Sequence, residues 1–217
     1  MAFVARSSDA PVDPIDVVRL GYDALGARYL EWSQDASARV RFVHQLLERL
    51  PKDSRVLDLG CGPAAPATRL LSERFAVVGV DLSHVQIALA RKAAPTAAFV
   101  VADMTRLGIP PGAFDAVVSL YAFGHLPSAL HRDVLNEIAA WLKPGGLLLA
   151  NAPLAEGDGV HEWLGVPMFF GGIGADRTLA AIEDAGLCIE AAEQITDEEG
   201  DGQTATFLWV RARKERA

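Results

Sequence analysis

The strongest constraint on the fold is a regular alternation between short β-branched runs and longer stretches whose apolar residues recur with helical spacing. Each run is closed by a small or acidic residue. Each is also apolar on both faces, as expected of strands buried within a parallel sheet. This alternation is typical of a doubly wound α/β fold. Five strands are predicted, over residues 55–59, 76–80, 98–102, 113–119 and 147–150.

Apolar stripes and capping signals predict the helices between these strands. One stripe covers residues 43–50 and another covers residues 130–141. After the second stripe, the sequence LKPGG at residues 142–146 should end the helix and turn the chain into the next strand. Ser83 and Gln86 have the spacing of a capping box, which predicts that a helix begins there.

The end of the chain departs from the β–α alternation. Asp176 is predicted to cap a short helix that ends at Gly186. Residues 187–195 and 204–210 are then predicted as two strands around an acidic turn at residues 196–202. The sequence therefore predicts a Rossmann-like, doubly wound α/β sheet that is mostly parallel and closes with a C-terminal antiparallel hairpin.

Composition narrows the possible functions. With 217 residues, 51% of them hydrophobic, the chain can bury one core, so a single domain is expected. The net charge of -8, with scattered basic residues, argues against a nucleic-acid partner. No segment has the apolar length of a membrane span, and the N-terminal sequence does not resemble a signal peptide. Cys61 and Cys188 are too few for a disulfide framework, which indicates a cytoplasmic protein.

Two segments lie outside the alternation and are predicted to form the substrate side. Residues 13–33 should form a helix that begins at Asp13 and Pro14. Residues 151–175 form a glycine-rich, aromatic segment that is too long for a simple connector and is expected to be a loop. The single domain then divides into a helical lid (1–50), a cofactor-binding core (51–150), a substrate loop (151–175) and a C-terminal helix with its hairpin (176–217).

A glycine turn follows the first predicted strand. The sequence VLDLGCGPA at residues 56–64 takes a buried strand into Gly60 and Gly62, where a ligand can approach the backbone because no Cβ obstructs it. The same residues also satisfy the dinucleotide pattern G-x-G-x-x-G/A. A tight strand-to-helix turn without a ligand is the remaining alternative.

Acidic residues end the next two strands. Asp81 closes the second strand, where a carboxylate can accept both hydroxyl groups of an adenosine ribose. Asp103 closes the third strand, where it can accept hydrogen bonds from the adenine amino group while Met104 packs on the ring. The alternatives are a charge at a helix N-terminus for Asp81 and a loop cap for Asp103.

The runs VLDLGCGPA, VVGVDLS, VADM, FDAVVSLYAFGHLP and LKPGGLLL, in this order and spacing, resemble the class I S-adenosylmethionine-dependent methyltransferases over nearly the whole chain. This resemblance implies a seven-stranded sheet and S-adenosylmethionine as the cofactor. Its methionine part would lie at the glycine turn, the ribose at Asp81 and the adenine at Asp103. The implied cofactor-binding residues are Tyr29, Asp58, Gly60, Cys61, Gly62, Asp81, Leu82, Gln86, Asp103, Met104 and Leu120. One departure is Ala64, which stands where the family pattern has a third glycine.

The predicted catalytic residue is His125, which follows the fourth strand. A sulfonium methyl group is already activated, so the protein mainly has to hold the acceptor in line in a dry pocket. His125 would accept the proton of a hydroxyl or amine acceptor, whereas a carboxylate acceptor needs no base. The alternative is that His125 only orients its own loop.

Aromatic residues in both extra segments are predicted to contact the substrate. The residues with this predicted role are Tyr22, Tyr121, His125, Trp163, Met168, Phe169 and Phe170. By resemblance, the opening helix lies over the cofactor, with Tyr29 near its carboxylate and Tyr22 near its methyl group. Ordinary packing is the alternative for these aromatic residues. No metal is expected, because no His or acidic pair has ligand spacing on a predicted element.

The expected function is methyl transfer to an oxygen, nitrogen or carboxylate of a small molecule. Two alternatives remain open at the level of sequence. One is a nicotinamide-dependent oxidoreductase, which shares the glycine turn and the acid after the second strand. The other is a non-catalytic S-adenosylmethionine-binding protein. The expected assembly is a monomer or a homodimer.

Overall fold

The computed structural model describes residues 13–33, 37–198 and 204–216. The helices are α1 (Pro14–Leu25), α2 (Ala27–Trp32), α3 (Ser37–Arg49), α4 (Ala67–Ser72), α5 (His84–Ala93), α6 (His131–Trp141) and α7 (Ala175–Asp184). The strands are β1 (Arg55–Leu59), β2 (Ala76–Asp81), β3 (Ala98–Val101), β4 (Phe114–Ser119), β5 (Leu142–Pro153), β6 (Glu156–Trp163), β7 (Val166–Ile173), β8 (Leu187–Glu198) and β9 (Thr204–Lys214). No helix in these ranges is long and apolar enough to cross a membrane.

Seven strands form one sheet in the order β3-β2-β1-β4-β5-β9-β8. The strands β1 to β5 are mutually parallel, and β9 runs antiparallel to both β5 and β8. The predicted fold class is therefore confirmed, including its C-terminal hairpin. The strand order reverses between β1 and β4, and ligands in such sheets bind outside the carboxyl ends of the strands at that point.

Alternate residues of the central strands face two helical layers. Val56 and the residues on its face pack with α3 and α4, whereas Leu57 and its face pack with α6 and α7. The two largest side chains that are fully buried, Trp141 and Trp209, lie on opposite sides of the sheet. A sheet covered on both faces is rigid, and it fixes the positions of the loops at its carboxyl edge.

A third cluster lies outside the sheet and joins α1 and α2 to β7. Gly21 of α1 faces β7 so closely that a Cβ there would lie 2.7 Å from Cε of Met168 and 3.1 Å from the carbonyl oxygen of Pro167. The buried members of this cluster, called the lid cluster below, are Val18, Leu25, Tyr29, Val166, Met168 and Phe169. The lid is therefore a small packed unit with its own apolar interior.

The structure corrects the prediction for both extra segments. Residues 13–33 form two helices rather than one, because the chain breaks at Gly26, where φ is 53° and ψ is -129°. Asp13 does cap the first helix, and it accepts a hydrogen bond from the Ile15 amide. Residues 151–175 do not form a loop: β6 and β7 pair antiparallel over Glu156–Trp163 and Val166–Ile173. Backbone pairing satisfies the polar groups of this long segment.

The edges of the sheet differ from the prediction as well. Val100 and Val101 are 46% and 47% exposed, because β3 is an edge strand and is not covered on both faces. The predicted turn at residues 142–146 is the irregular start of β5, with a register shift opposite Phe114 and Ala116. Of the predicted acidic turn, residues 196–198 belong to β8, and residues 199–202 lie outside the described residues.

Two capping predictions also need correction. The Ser83 hydroxyl caps α5 by accepting a hydrogen bond from the Gln86 amide, but Gln86 does not return the bond as a capping box requires. Its side chain instead donates to the carbonyl oxygens of Tyr22 and Gly26 at the end of α1. The residue that caps α7 is Gly174, and Asp176 lies in the first turn of that helix.

Candidate functional site

The glycine turn is fixed to the neighbouring strand by backbone hydrogen bonds. The amides of Gly60 and Cys61 both donate to the Val80 carbonyl oxygen, at 2.8 and 3.0 Å. Gly60 has φ of 67° and contacts Ala122 so closely that no Cβ fits between them. A glycine is therefore required at position 60 both by the backbone conformation and by the space.

Asp81 lies at the end of β2 beside this turn. One carboxylate oxygen accepts the Gly62 amide and the other accepts the Ser83 amide, each at 2.8 Å. Each oxygen keeps a second lone pair that a ribose hydroxyl can use. Burial raises the pKa of Asp81 to about 6, although the two amide hydrogen bonds oppose this shift.

Asp58 and Cys61 lie beneath the turn rather than at its surface. Asp58 accepts a 2.6 Å hydrogen bond from the Thr68 hydroxyl of α4, and burial raises the pKa of its carboxyl group to about 6. The Cys61 thiol is buried near Gly79, and burial raises its pKa well above the usual range. The structure thus places both residues where they shape the turn.

Arg39 of α3 is a site residue that sequence reasoning missed. Its side chain is buried, donates to the Ala65 carbonyl oxygen at 3.3 Å and lies 4.6 Å above the Tyr121 ring. The Nε atom of this guanidinium has no hydrogen-bond partner. The signal in the sequence is that Arg39 stands three and four positions before Phe42 and Val43, on the apolar face of its helix.

The other predicted cofactor residues divide into two groups. Met104 lies near the turn, with its Cε 3.6 Å from where a Gly60 Cβ would be, and Leu120 borders the same turn. Asp103 accepts hydrogen bonds from the amide and hydroxyl of Thr105, so one of its oxygens caps its own loop. Leu82 packs against the lid cluster, and Gln86 ties α1 to α5, so neither is placed at the turn itself.

The two hydrogen bonds of His125 fix its tautomer. Nδ1 lies 2.9 Å from the Phe169 carbonyl oxygen, which can only accept, so Nδ1 carries the proton. Nε2 therefore holds a lone pair and accepts the Tyr22 hydroxyl at 2.8 Å. Burial lowers the pKa of His125 to about 4 and raises that of Tyr22 well above its usual range. The pair is neutral at physiological pH.

A cavity of about 480 Å³ opens next to this pair. Its walls combine rings from the lid helices, the β6–β7 hairpin and the ends of β4 and β9. The aromatic and histidine side chains that line it are Tyr22, Tyr29, Trp32, Tyr121, His125, His161, Trp163, Phe170 and Phe207. The predicted substrate residues Tyr22, Tyr121, His125, Trp163 and Phe170 thus meet at one cavity.

The structure does not place Met168 and Phe169 on the cavity wall. Both side chains are buried within the lid cluster, where Met168 packs against Gly21 of α1. Only the Phe169 backbone reaches the site, through the carbonyl oxygen that holds His125. Within the described ranges, no group of three or more His, Cys, Asp and Glu side chains is arranged to hold a metal ion.

A glycine turn and two acids at consecutive strand ends, beside the switch point of a doubly wound sheet, define a class of proteins that bind an adenosine-containing cofactor. Comparison with known proteins shows which family within this class the chain resembles. Residues 56–146 match the family described as a methyltransferase domain. This segment of the chain is therefore similar to the methyltransferase family.

Several relatives share only part of their length with this chain. It is 39% identical over 121 residues to a trans-aconitate 2-methyltransferase of Paracidovorax citrulli, which covers 53% of this chain and 45% of the relative. It is 31% identical over 178 residues to the 27-O-demethylrifamycin SV methyltransferase of Amycolatopsis mediterranei, covering 73% of this chain and 64% of the relative. The chain thus spans about half to two thirds of these proteins.

Solved structures share the fold over more of the chain. The magnesium protoporphyrin IX methyltransferase of Synechocystis, solved with bound S-adenosylhomocysteine, matches with a TM-score of 0.75 at 16% identity. The match covers 94% of this chain and 100% of the other chain. At this level of identity the likeness establishes the fold.

Proposed function

We propose that this protein transfers a methyl group from S-adenosylmethionine to a small molecule. The observation that carries the proposal is that the cofactor edge and the cavity share a wall. Tyr29 lines the cavity, and its Cε1 lies 3.3 Å from where a Cβ of Gly62 would be. A methyl donor at the glycine turn would therefore lie beside any molecule bound in the cavity.

The residues at the sheet edge fit this cofactor. Asp81 would hold the ribose hydroxyls, and Asp103 with Met104 would hold the adenine. The unpaired Nε of Arg39 points to a role for its guanidinium in binding the methionine carboxylate, because a buried cation is stabilised by an anionic partner. When bound, the cofactor supplies an activated methyl group on a positively charged sulfur.

The chain's own residues then have three tasks. The aromatic walls exclude water and hold the acceptor in line. Nε2 of His125 offers a lone pair to the proton of a hydroxyl or amine acceptor. A carboxylate acceptor would need only the positioning. Oxygen, nitrogen and carboxylate acceptors thus belong to the same proposed reaction class.

The setting of the reaction is part of the proposal. The net charge of -8 supports a small-molecule substrate rather than a nucleic acid. Two free cysteines, one buried and one exposed, support a cytoplasmic location. We expect a monomer or a homodimer, with α1, α2 and the β6–β7 hairpin forming the lid and substrate side of a single domain.

Isothermal titration of the full chain with S-adenosylmethionine and S-adenosylhomocysteine tests the cofactor assignment. We expect micromolar binding that Asp81→Asn weakens at least tenfold, through loss of a charge-assisted hydrogen bond. The matched control is Asp115→Asn, whose carboxylate accepts the Arg55 amide at the opposite edge of the sheet. Binding of reduced nicotinamide cofactor in place of both ligands would instead favour an oxidoreductase.

A further inference from the structure

The walls of the cavity are built from interlocked aromatic rings. Trp163 is the centre of the arrangement, with its ring 5.3 Å from that of Trp32 and 6.1 Å from that of Phe170. On the other side, Tyr121 and Phe207 pack edge to face at 4.8 Å. Such faces and edges bind flat, apolar rings in offset or perpendicular arrangements. The shape of the cavity therefore favours a planar aromatic ligand.

The charges around the cavity disfavour an anionic ligand. None of the described residues that line it is lysine or arginine, and two of them, Glu156 and Asp158, are acids. These acids already have partners: Arg177 lies 3.3 Å from Glu156, and the Ser128 amide donates to Asp158 at 2.9 Å. A carboxylate ligand would lose its hydration without gaining a cation, and an ammonium would have to compete with Arg177 and Ser128 for the two carboxylates.

His125 offers a polar anchor at the wall of this cavity. Nε2 of His125 has a fixed lone pair, and the group that occupies it is the Tyr22 phenol. Burial keeps this phenol neutral, since the pKa of Tyr22 is raised. The side chain of Tyr22 therefore shows which ligand group suits this position: an uncharged hydroxyl on an aromatic ring.

We propose that the cavity binds an uncharged, planar aromatic hydroxy compound, whose hydroxyl donates to Nε2 of His125 in place of Tyr22. This inference rests on the proposed function, because it takes the cavity next to the cofactor edge as the acceptor site. It also sets this chain apart from its trans-aconitate relatives, whose named substrate is a tricarboxylate. The Tyr22 hydroxyl would occupy Nε2 of His125 in the free protein, and the ligand hydroxyl would displace it.

A series of naphthalenes with one varied group tests the ligand class by isothermal titration of the full chain. We expect 2-naphthol to bind about tenfold more tightly than 2-methoxynaphthalene, the effect of one hydrogen bond to a buried acceptor. Naphthalene-2-carboxylate and naphthalene-2-methylammonium should each bind at least tenfold more weakly than 2-naphthol. Equal or tighter binding of either ion, or no binding of any member, would overturn the proposal.

Two variants test the displacement of Tyr22. Tyr22→Phe removes the competing donor, so it should tighten 2-naphthol binding several-fold and leave 2-methoxynaphthalene unchanged. His125→Phe removes the acceptor and should abolish the preference for 2-naphthol. His161→Phe, the same change elsewhere on the wall, should keep that preference. If the pair were only structural, both Tyr22→Phe and His125→Phe would weaken binding of every naphthalene, and that result would refute the displacement.

Failure of this inference is distinguishable from failure of the proposed function. The naphthalene titrations need no cofactor, and S-adenosylmethionine binding is measured separately on the same protein. Cofactor binding without a preference for 2-naphthol would overturn the ligand class alone. A preference for 2-naphthol in a protein that binds neither adenosyl ligand would overturn the methyltransferase proposal and leave the hydroxy-aromatic site standing.

Discussion

At the scale of single residues, the site depends on side chains whose protonation differs from that in water. His125 stays neutral because burial disfavours the imidazolium, while Asp58 and Asp81 hold their protons to higher pH for the same reason. The shift of His125 makes the fold less stable as the pH falls, whereas the shifts of Asp58 and Asp81 make it more stable as the pH falls. The contribution of His125 is therefore measured best against a variant that lacks only this imidazole.

We predict that His125 loses its stabilising contribution in acid. Its pKa is about 4 in the folded state and about 6.5 in the unfolded chain, so between these values the unfolded state binds more protons and stability falls as the pH falls. From pH 7 to pH 5, the wild type should lose about 2 kcal/mol of unfolding free energy relative to His125→Gln. Urea unfolding of both proteins at the two pH values measures this loss. The same gap in unfolding free energy between wild type and variant at pH 7 and pH 5 would contradict the prediction.

Gly60 carries a second prediction at this scale. Gly60→Ala adds a Cβ that meets Ala122 and is strained at φ of 67°, so we expect a loss of roughly 2 to 4 kcal/mol of unfolding free energy. Gly112→Ala is the matched control, because Gly112 has φ of 66° with nothing within 4 Å of a Cβ. It should lose only about 1 kcal/mol. Equal losses in urea unfolding would show that the contact with Ala122 is unimportant.

Sequence reasoning located the residues at strand ends better than those on the lid. Asp81 and Gly60 follow buried strands, and the position of a strand end is readable from local pattern. Arg39 was missed because its burial at the site depends on which face of α3 packs against the sheet. Met168 was assigned to the substrate because an aromatic, apolar run does not tell which of its side chains turn inward. Met168 packs against Gly21 of α1, a contact between distant segments that the local sequence does not show.

At the scale of elements, the lid depends on one close helix–strand contact. Gly21 lets α1 approach the backbone of β7 at Pro167, and this approach brings Tyr22 to His125. The lid cluster is separate from the two clusters on the sheet faces. Its helices and hairpin can therefore loosen without unfolding the core.

We predict that Gly21→Ala loosens the lid selectively. The added methyl group must displace the flexible end of Met168, and it meets the fixed Pro167 carbonyl oxygen at 3.1 Å. Overpacking of about 1 to 3 kcal/mol should outweigh the gain in helix propensity of about 1 kcal/mol. Hydrogen exchange should quicken in α1 and β7 and stay unchanged in β1 and β4. Leu20→Ala, at a side chain that is 54% exposed on the same helix, should change neither.

The sequence was less informative about these elements than about the sheet. The break between α1 and α2 occurs at Gly26, inside an apolar spacing that continues across it, so periodicity predicted one helix. The β6–β7 hairpin contains Gly157, Gly159, Gly171 and Gly172, which disfavour a strand assignment in isolation. Its pairing is stabilised by packing on α1, which no local pattern contains.

At the scale of the whole molecule, the order of strands and helices was predictable because each buried parallel strand is a short apolar run that can be recognised in the sequence. The hairpin of β8 and β9 was predicted from two strand-like runs around an acidic turn, although both strands are longer than those runs. What the sequence left open was the joining of two distant segments into one lid. That joining depends on contacts between segments far apart in the chain, such as Gly21 against Met168, where an added Cβ would lie 2.7 Å from Cε of Met168.

The central claim is that an adenosyl cofactor binds where the strand ends meet the cavity. A crystal structure of the full chain with S-adenosylhomocysteine tests it most directly. We predict ribose hydroxyls within hydrogen-bond distance of Asp81, the amino-acid carboxylate beside Arg39 and the sulfur facing the cavity that His125 borders. A ligand bound elsewhere, or bound at this edge with Asp81 and Arg39 making no contact to it, would contradict the account.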